Sequence, residues 1–409
     1  MKRTITLICM ALLTALSVFT VSCAKKDAGA AAAARSGEKL TLWVYDNGRL
    51  EVLTALGRKF QAEYGVAVEV SLVDLGQIRN QFLLSQGGAE CADIAIIPHD
   101  NLGPLVENSA VLEINPGAKG DSFTAPSLEG FTYNGKLYGL PLAVENIGFF
   151  YNTSLVPEPP ETWDEAVAMT ERLIKAGKVE RMLGLADAHY NAYPVYDSFG
   201  GAVFGKKADG SLDGKRILVD GPGFVAALDF LTAQVRNKLI PETIDWDASH
   251  VLFESGKAPF VCTGPWALNR FKTAGVPYAI GAFPAAKKGG PPGNPFLGVQ
   301  GMIVSAASPR RLLAQSFAVD FIATEENMTA LYQAEQRPSA WKSIFENAAD
   351  DDAAGFNKAG AHAVPMPSIP EMGYVWDAWT AAAALSFAGD KSPAEALQNA
   401  KAQIESMIP

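Results

Sequence analysis

The sequence predicts an α/β fold whose sheets are covered by helices on both faces. Three observations point there. Short apolar strands alternate with amphipathic helices from Leu40 onward. Strands such as Asp93-Ile94-Ala95-Ile96-Ile97 are almost unbroken in apolar character, as strands buried on both faces are. With 48% hydrophobic against 19% charged residues, the chain has enough apolar content for a large core. Its 409 residues suggest two or three domains at about 100–200 residues each.

The chain opens with Lys2 and Arg3, an apolar run from Ile5 to Phe19, small residues and Cys23. This is the charged, apolar and cleavage-zone order of a secretory signal over residues 1–22. The run is short for a membrane span, which needs about 20 apolar residues. Thr20-Val21-Ser22-Cys23 is similar to a bacterial lipobox, with Thr where Leu is usual, and makes Cys23 the expected lipidated residue. Several acyl chains on one Cys would anchor stably where a single chain binds weakly. Residues 23–39 continue as a small, polar, low-complexity stretch and read as a flexible tether. With Cys9 and Cys23 outside the body, Cys91 and Cys262 remain. Each sits in or beside an apolar run and reads as a buried free thiol, a disulfide between them being left open.

Within the body, Leu40 to Tyr45 reads as a strand. Arg49 to Tyr64 reads as a helix, with Leu50, Leu53, Leu56 and Phe60 on one face and Gly65 to end it. A strand over Val66 to Val73 and a helix over Gly76 to Gln86 lead to the Asp93–Ile97 strand. Leu137 to Val144 and Gly148 to Tyr151 read as further strands. Thr162-Trp163-Asp164-Glu165 is a capping box opening a helix to about Ala176. A helix over Gly223 to Asn237 and a strand over Ala258 to Thr263 follow, the latter stopped by Gly264-Pro265. Lys287 to Pro295 is a dense breaker cluster. Val299 to Val304 resumes as a strand, and helices are expected from Pro309 to about Thr324 and from Glu371 to about Ala388. Ser392-Pro393-Ala394-Glu395 announces the last helix with a capping box and Pro at its first position.

Charge and motifs narrow the function. Thirty-four Lys+Arg against 44 Asp+Glu give a net charge of −10, a poor match to a nucleic-acid binder or a polybasic membrane patch. The four histidines, His99, His189, His250 and His362, lack metal-ligand spacing. No phosphate-binding glycine loop or nucleophile elbow is present.

What stands out is aromatic residues beside turns, together with a few placed carboxylates. A pyranose ring has an apolar face of C–H groups and an equator of hydroxyls, so a sugar site needs flat aromatic platforms and polar acceptors. Trp266 follows the Gly264-Pro265 break. Trp376 and Trp379 lie in the helix after Pro370, and Tyr190 and Tyr193 in a loop after a strand. Glu145 ends a strand, where α/β proteins place ligands, and Asp100 follows another. Each also has an ordinary structural reading. Trp379 fits a core position, Tyr190 the cap of a hydrophobic edge and Asp100 a helix N-cap, while His99 and Asp93 fit turn-holding roles.

The body resembles the ABC-transporter solute-binding proteins of the maltose-binding protein type, collinearly from about Lys39 to Met407. The resemblance is carried by Phe131-Thr132-Tyr133-Asn134-Gly135-Lys136-Leu137, Pro141-Leu142-Ala143-Val144-Glu145, Tyr151-Asn152 through Glu161-Thr162-Trp163, Thr263-Gly264-Pro265-Trp266-Ala267, Ala306-Ala307-Ser308-Pro309 and Met366-Pro367-Ser368-Ile369-Pro370-Glu371-Met372. It implies a two-lobe periplasmic-binding-protein fold with a multi-segment hinge. The N-terminal lobe would comprise residues 40–145 plus 300–346, and the C-terminal lobe residues 146–295 plus 350–409. By resemblance Trp266, Trp376 and Tyr190 match sugar-stacking aromatics, Glu145 and Asp100 match carboxylates that accept from hydroxyls, and Met366 matches a cleft-lining methionine. Ile97 stands where maltose-binding protein has a stacking Trp, Asn101 and Thr380 where it has arginines, Asp377 replaces a tyrosine and Ala188 a glutamate. Asn47, His189 and Tyr193 are candidate replacement contacts.

The function so implied is capture of maltose, a maltodextrin or a related oligosaccharide and its delivery to a membrane permease with its ATPase subunits. The protein would be an exported, lipid-anchored monomer at the periplasm or cell surface, without cofactor or catalysis. A secreted glycoside hydrolase using Glu145 and Asp100 as acid and base is the alternative, and an adhesin or chemoreceptor loader using the same cleft is a third reading.

Overall fold

A computed structural model describes residues 38–88, 91–348 and 350–408. The expected signal segment, the lipidation site at Cys23 and the tether up to residue 37 lie outside the described residues. Lys39, the last tether residue, already opens the first strand.

Fourteen strands are present among the described residues. They are β1 (Lys39–Val44), β2 (Ala67–Leu72), β3 (Ile94–Pro98), β4 (Thr132–Tyr133), β5 (Lys136–Leu137), β6 (Leu140–Glu145), β7 (Gly148–Asn152), β8 (Leu183–Leu185), β9 (Phe204–Lys206), β10 (Leu212–Ile217), β11 (Phe260–Thr263), β12 (Tyr278–Gly281), β13 (Phe296–Val304) and β14 (Val364–Pro365). They form two main sheets. The first runs β14-β13-β3-β1-β2, with β6 also on β13; the second runs β12-β7-β11-β8. In the first, β1 is parallel to β2 and β3, while β13 runs antiparallel to β3 and β6. Both sheets are mixed, and helices cover them, in agreement with the α/β class expected.

The helices form where the sequence provides their ends. Asp46 Oδ1 accepts the Arg49 N–H at 2.8 Å and caps the helix Asn47–Tyr64. Gly65 closes it at φ 75°, a left-handed conformation that glycine adopts without a Cβ penalty. Thr162 accepts the Glu165 N–H and Ser392 the Glu395 N–H, as the two capping boxes predict. Leu53, Leu56 and Phe60 face inward, each such burial being worth about 1.5–3 kcal/mol. Phe60 lies edge-on to Phe317 and Phe321 at 5.0 and 5.1 Å between ring centres.

Two expectations fail locally. The strand over Leu137 to Val144 is broken into β5 and β6, because at Gly139 the backbone passes so close over the Phe131 ring that a Cβ would collide with it. The single helix over Pro309 to Thr324 becomes a short α-helix, Arg311–Gln315, that widens into π geometry over Ser316–Ile322. Thr324 instead caps a new helix, Glu325–Glu335.

Four hydrophobic clusters are present among the described residues, and two of them are large. One large cluster gathers residues from β1, β3, β6 and β13 with Phe317, Phe321 and Trp341. The other gathers Phe149, Trp163, Tyr196, Phe224 and Phe260 with Trp379 and Leu397 from the C-terminal helices. Trp379 is fully buried between Tyr196 and Phe224, so its structural reading is the correct one. Cys91 and Cys262 are free thiols, Cys262 buried and Cys91 half-buried. Among the described residues no helix is long and apolar enough to cross a membrane.

Candidate functional site

The carboxyl-terminal ends of β1, β3 and β6 deliver Asp46, Asp100 and Glu145 to one edge of the first sheet. β11 of the second sheet delivers Trp266 on a one-turn 3-10 helix, Pro265–Ala267. Trp266 can lie flat against the chain there because position 264 is glycine, where a Cβ would strike its six-membered ring. Tyr190 comes from the loop after β8, which Asp187 folds by accepting the N–H groups of His189 and Asn191, both at 2.9 Å.

These residues meet. Tyr190 lies 6.3 Å from Trp266 and 6.3 Å from Phe296, and Phe296 lies 6.1 Å from Trp376. Trp376 donates its indole N–H to Asp100 Oδ2 at 3.1 Å. Met366 is buried, and its carbonyl accepts from His99 Nε2 at 3.0 Å. The tautomer follows from geometry: His99 Nδ1 accepts the Val299 N–H at 3.0 Å, so the proton sits on Nε2. Trp266, Tyr190, Trp376, Glu145, Asp100 and Met366 thus fall in one contiguous region. Among the three weaker candidates, His189 belongs with them, its ring 5.1 Å from that of Trp376. Tyr193 is buried and stacked on Phe296 at 3.6 Å, on the first turn of a helix rather than in a loop. Asn47 is exposed at the start of its helix.

Asp100 is not the helix cap that its position suggested. It lies in a 3-10 turn, His99–Asn101, and spends its oxygens on Trp376 and Asn101. Burial raises its carboxyl above the ordinary range, with His99 and the Trp376 N–H opposing. Burial likewise lowers His99, which stays neutral. Asp93 does hold a turn, as expected, by accepting from Ser308 and Arg310 across 215 and 217 residues.

Beside the aromatics lies a buried ionic network that the sequence reading did not anticipate. Glu145, only 2% exposed, accepts from Gln300 Nε2 at 2.9 Å on one oxygen and from Arg337 on the other. Arg337 also faces Glu335 at 3.2 Å and Asp46 at 3.4 Å. Arg49, fully buried, pairs with Glu335 at 2.9 Å, and the Tyr45 hydroxyl meets Gln300. The carboxylates hold Arg49 and Arg337 charged, with pKa values above the usual arginine range despite burial. Arg337 reaches Glu145 because Pro338 to Ala340 lies along β6: Val144 N–H donates to Pro338 and Ala340 N–H to Leu142. Two signals in the sequence mark this network. Asp46 and Arg49 stand at helix-cap spacing, and Gln336-Arg337-Pro338 is a helix stop with an extended residue before proline.

The arrangement offers flat rings, acceptors and guanidinium donors together. Among the described residues no group of three His, Cys, Asp or Glu side chains could hold a metal ion. A hollow lined by Tyr332, Gln336, Phe345 and Phe356 contains none of the residues expected at a ligand site.

Comparison with known proteins adds the following. The family model for bacterial extracellular solute-binding proteins matches residues 55–363. The chain is 28% identical over 408 residues to a galactooligosaccharide-binding protein of Bacillus subtilis, covering 96% of this chain and 95% of the relative. It is 27% identical to a maltooligosaccharide ABC transporter solute-binding lipoprotein of Streptococcus pneumoniae, covering 89% and 88%. A maltotriose-binding protein of Pyrococcus abyssi is 24% identical, covering 83% and 75%.

Proposed function

We propose, from the premise that this chain belongs to the bacterial extracellular solute-binding protein family, that it is the substrate-binding component of a carbohydrate ABC importer. Its cargo is an oligosaccharide, with maltose or a maltodextrin and galactooligosaccharides as the two chemistries to compare. The observation that carries this reading is the convergence of Trp266, Tyr190 and Trp376 with Asp100 and Glu145, brought together from the strand ends of two separate sheets and from the helix Met372–Phe387.

The lobes so assigned are residues 40–145 plus 300–346 and residues 146–295 plus 350–409. Sugar stacks on Trp266, Trp376 and Tyr190, with Met366 beside it and the first lobe's carboxylates accepting from hydroxyls. His189 is a further contact. A ligand that touches both lobes only when they are closed stabilises the closed state by its differential affinity. That state then docks on a membrane permease with its ATPase. Lipid on Cys23 of an exported, monomeric protein keeps the donor near its acceptor and raises the effective concentration.

Hydrolysis finds no support. The named relatives are binding proteins. A thermal-shift screen of the full chain against maltose, maltotriose, longer maltodextrins and galactooligosaccharides tests the proposal. A ligand that binds only the folded state raises the melting point by mass action, and a flat response across the panel would refute it.

A further inference from the structure

The Arg337 guanidinium touches both halves of the candidate site. One N–H binds Glu145 at the end of β6, and Cζ lies 5.3 Å from the centre of the Trp266 ring, which follows β11 of the other sheet. Among the described residues Trp266 Nε1, which is buried, has no hydrogen-bond partner. Its orientation rests on apolar packing against two hydrophobic clusters, on Arg337, on the tilted Tyr190 ring and on the missing side chain at Gly264. Arg337 is itself held rigidly, since Glu335 and Asp46 flank it and Pro338 to Ala340 are bonded along β6.

From these contacts we infer that Arg337 is the positioning residue that couples the two lobes at the ligand site. It anchors the Glu145 carboxylate and, through its face-on contact with Trp266, favours the closed arrangement. This role rests on reading the cleft as the ligand site. An ion pair alone would need only the carboxylates. The ring contact is the part that a structural role does not require, and a flat guanidinium can stack on the indole while pairing with Glu145, which a lysine ammonium on its flexible stem does less well. The two guanidiniums beside Glu145, those of Arg49 and Arg337, come from the first helix and the segment after Glu335.

The test is a double-mutant cycle with Arg337→Lys and Trp266→Leu in the full chain. It is read by calorimetric affinity for the best sugar of the thermal-shift panel and by the small-angle-scattering radius of the ligand-free protein. Arg337→Lys keeps a charge beside Glu145. It should lower affinity roughly tenfold in the wild-type background and less than about threefold when Trp266 is already Leu. It should also enlarge the radius of the ligand-free particle. Equal losses in both backgrounds with an unchanged radius overturn the coupling role. If no sugar binds the wild type while the radius still grows, the sugar reading falls and the coupling stands. If Arg337→Lys does not fold, Trp266→Leu alone should enlarge the particle, and an unchanged radius there overturns the inference.

Discussion

The indole N–H of Trp376 donates to Oδ2 of Asp100 at 3.1 Å, linking residues 276 positions apart in sequence. The helix Met372–Phe387 is buried in the second core through Val375 and Trp379, whereas Asp100 sits on the turn that ends β3. Trp376→Phe keeps a ring and deletes this donor. It should weaken oligosaccharide binding by about 1.5–3 kcal/mol, the range for a hydrogen bond to a charged group. Asp100→Asn keeps an acceptor and should cost less. Calorimetry that gives Trp376→Phe the wild-type affinity would remove the bond from the binding account.

Trp266 and Trp379 should separate cleanly. Trp379→Ala empties a fully buried position and should destabilise the protein by about 3–5 kcal/mol in urea unfolding. Trp266→Ala should instead weaken sugar binding, by about 1–3 kcal/mol if aromatic stacking values for nucleic-acid bases transfer to sugars. Unchanged sugar affinity in the Trp266 variant would exclude it from the site.

Glu145→Gln should harm stability as well as binding. The carboxylate neutralises Arg337 in a buried setting, and removing one partner of a buried ion pair costs about 3–5 kcal/mol. Chemical denaturation measures this, and a variant as stable as the wild type would show the network to be energetically idle.

Acid should destabilise the fold through its buried histidines. His250 donates from Nδ1 to the Trp246 carbonyl and accepts from Thr263 at Nε2, and burial pushes its pKa down to about 4. Between the ordinary histidine value of about 6.5 and 4, the unfolded chain takes up a proton that the folded chain refuses, so stability falls with pH. The loss reaches about 3 kcal/mol near pH 4. His99 shifts in the same direction and adds to it. Asp100 is raised and opposes it at lower pH, because the folded state holds that proton more tightly. Denaturation of His250→Gln across pH 7 to 4 should show a shallower decline than wild type; identical slopes would assign the acid sensitivity elsewhere.

Much of this was legible in the sequence, for local reasons. The helix over 47–64 and the capped helices at Trp163 and Pro393 declare themselves through caps, periodicity and a terminal glycine. That Trp266, Tyr190 and Glu145 lie near one another was legible because residues beside strand ends gather at one edge of an α/β sheet. Arg337, Gln300 and Tyr45 were not, because their meaning lies in partners 155 to 255 positions away that only the folded sheet brings near. The break at Gly139 and the π-helical stretch over Ser316–Ile322 escaped for the same reason: tertiary packing against Phe131 and Phe60 overrides the local pattern. Tyr193 looked like a loop aromatic until the stack on Phe296 placed it in the core.

A crystal structure of the full chain grown with the oligosaccharide that most raises its melting point tests the central claim most directly. The account predicts one sugar enclosed between the two sheets, a ring resting on Trp266 or Trp376 and hydroxyls within 3.2 Å of Asp100 or Glu145, the outer reach of a good hydrogen bond. Sugar bound on an outer surface, away from Tyr190, Trp266 and Trp376, would contradict it.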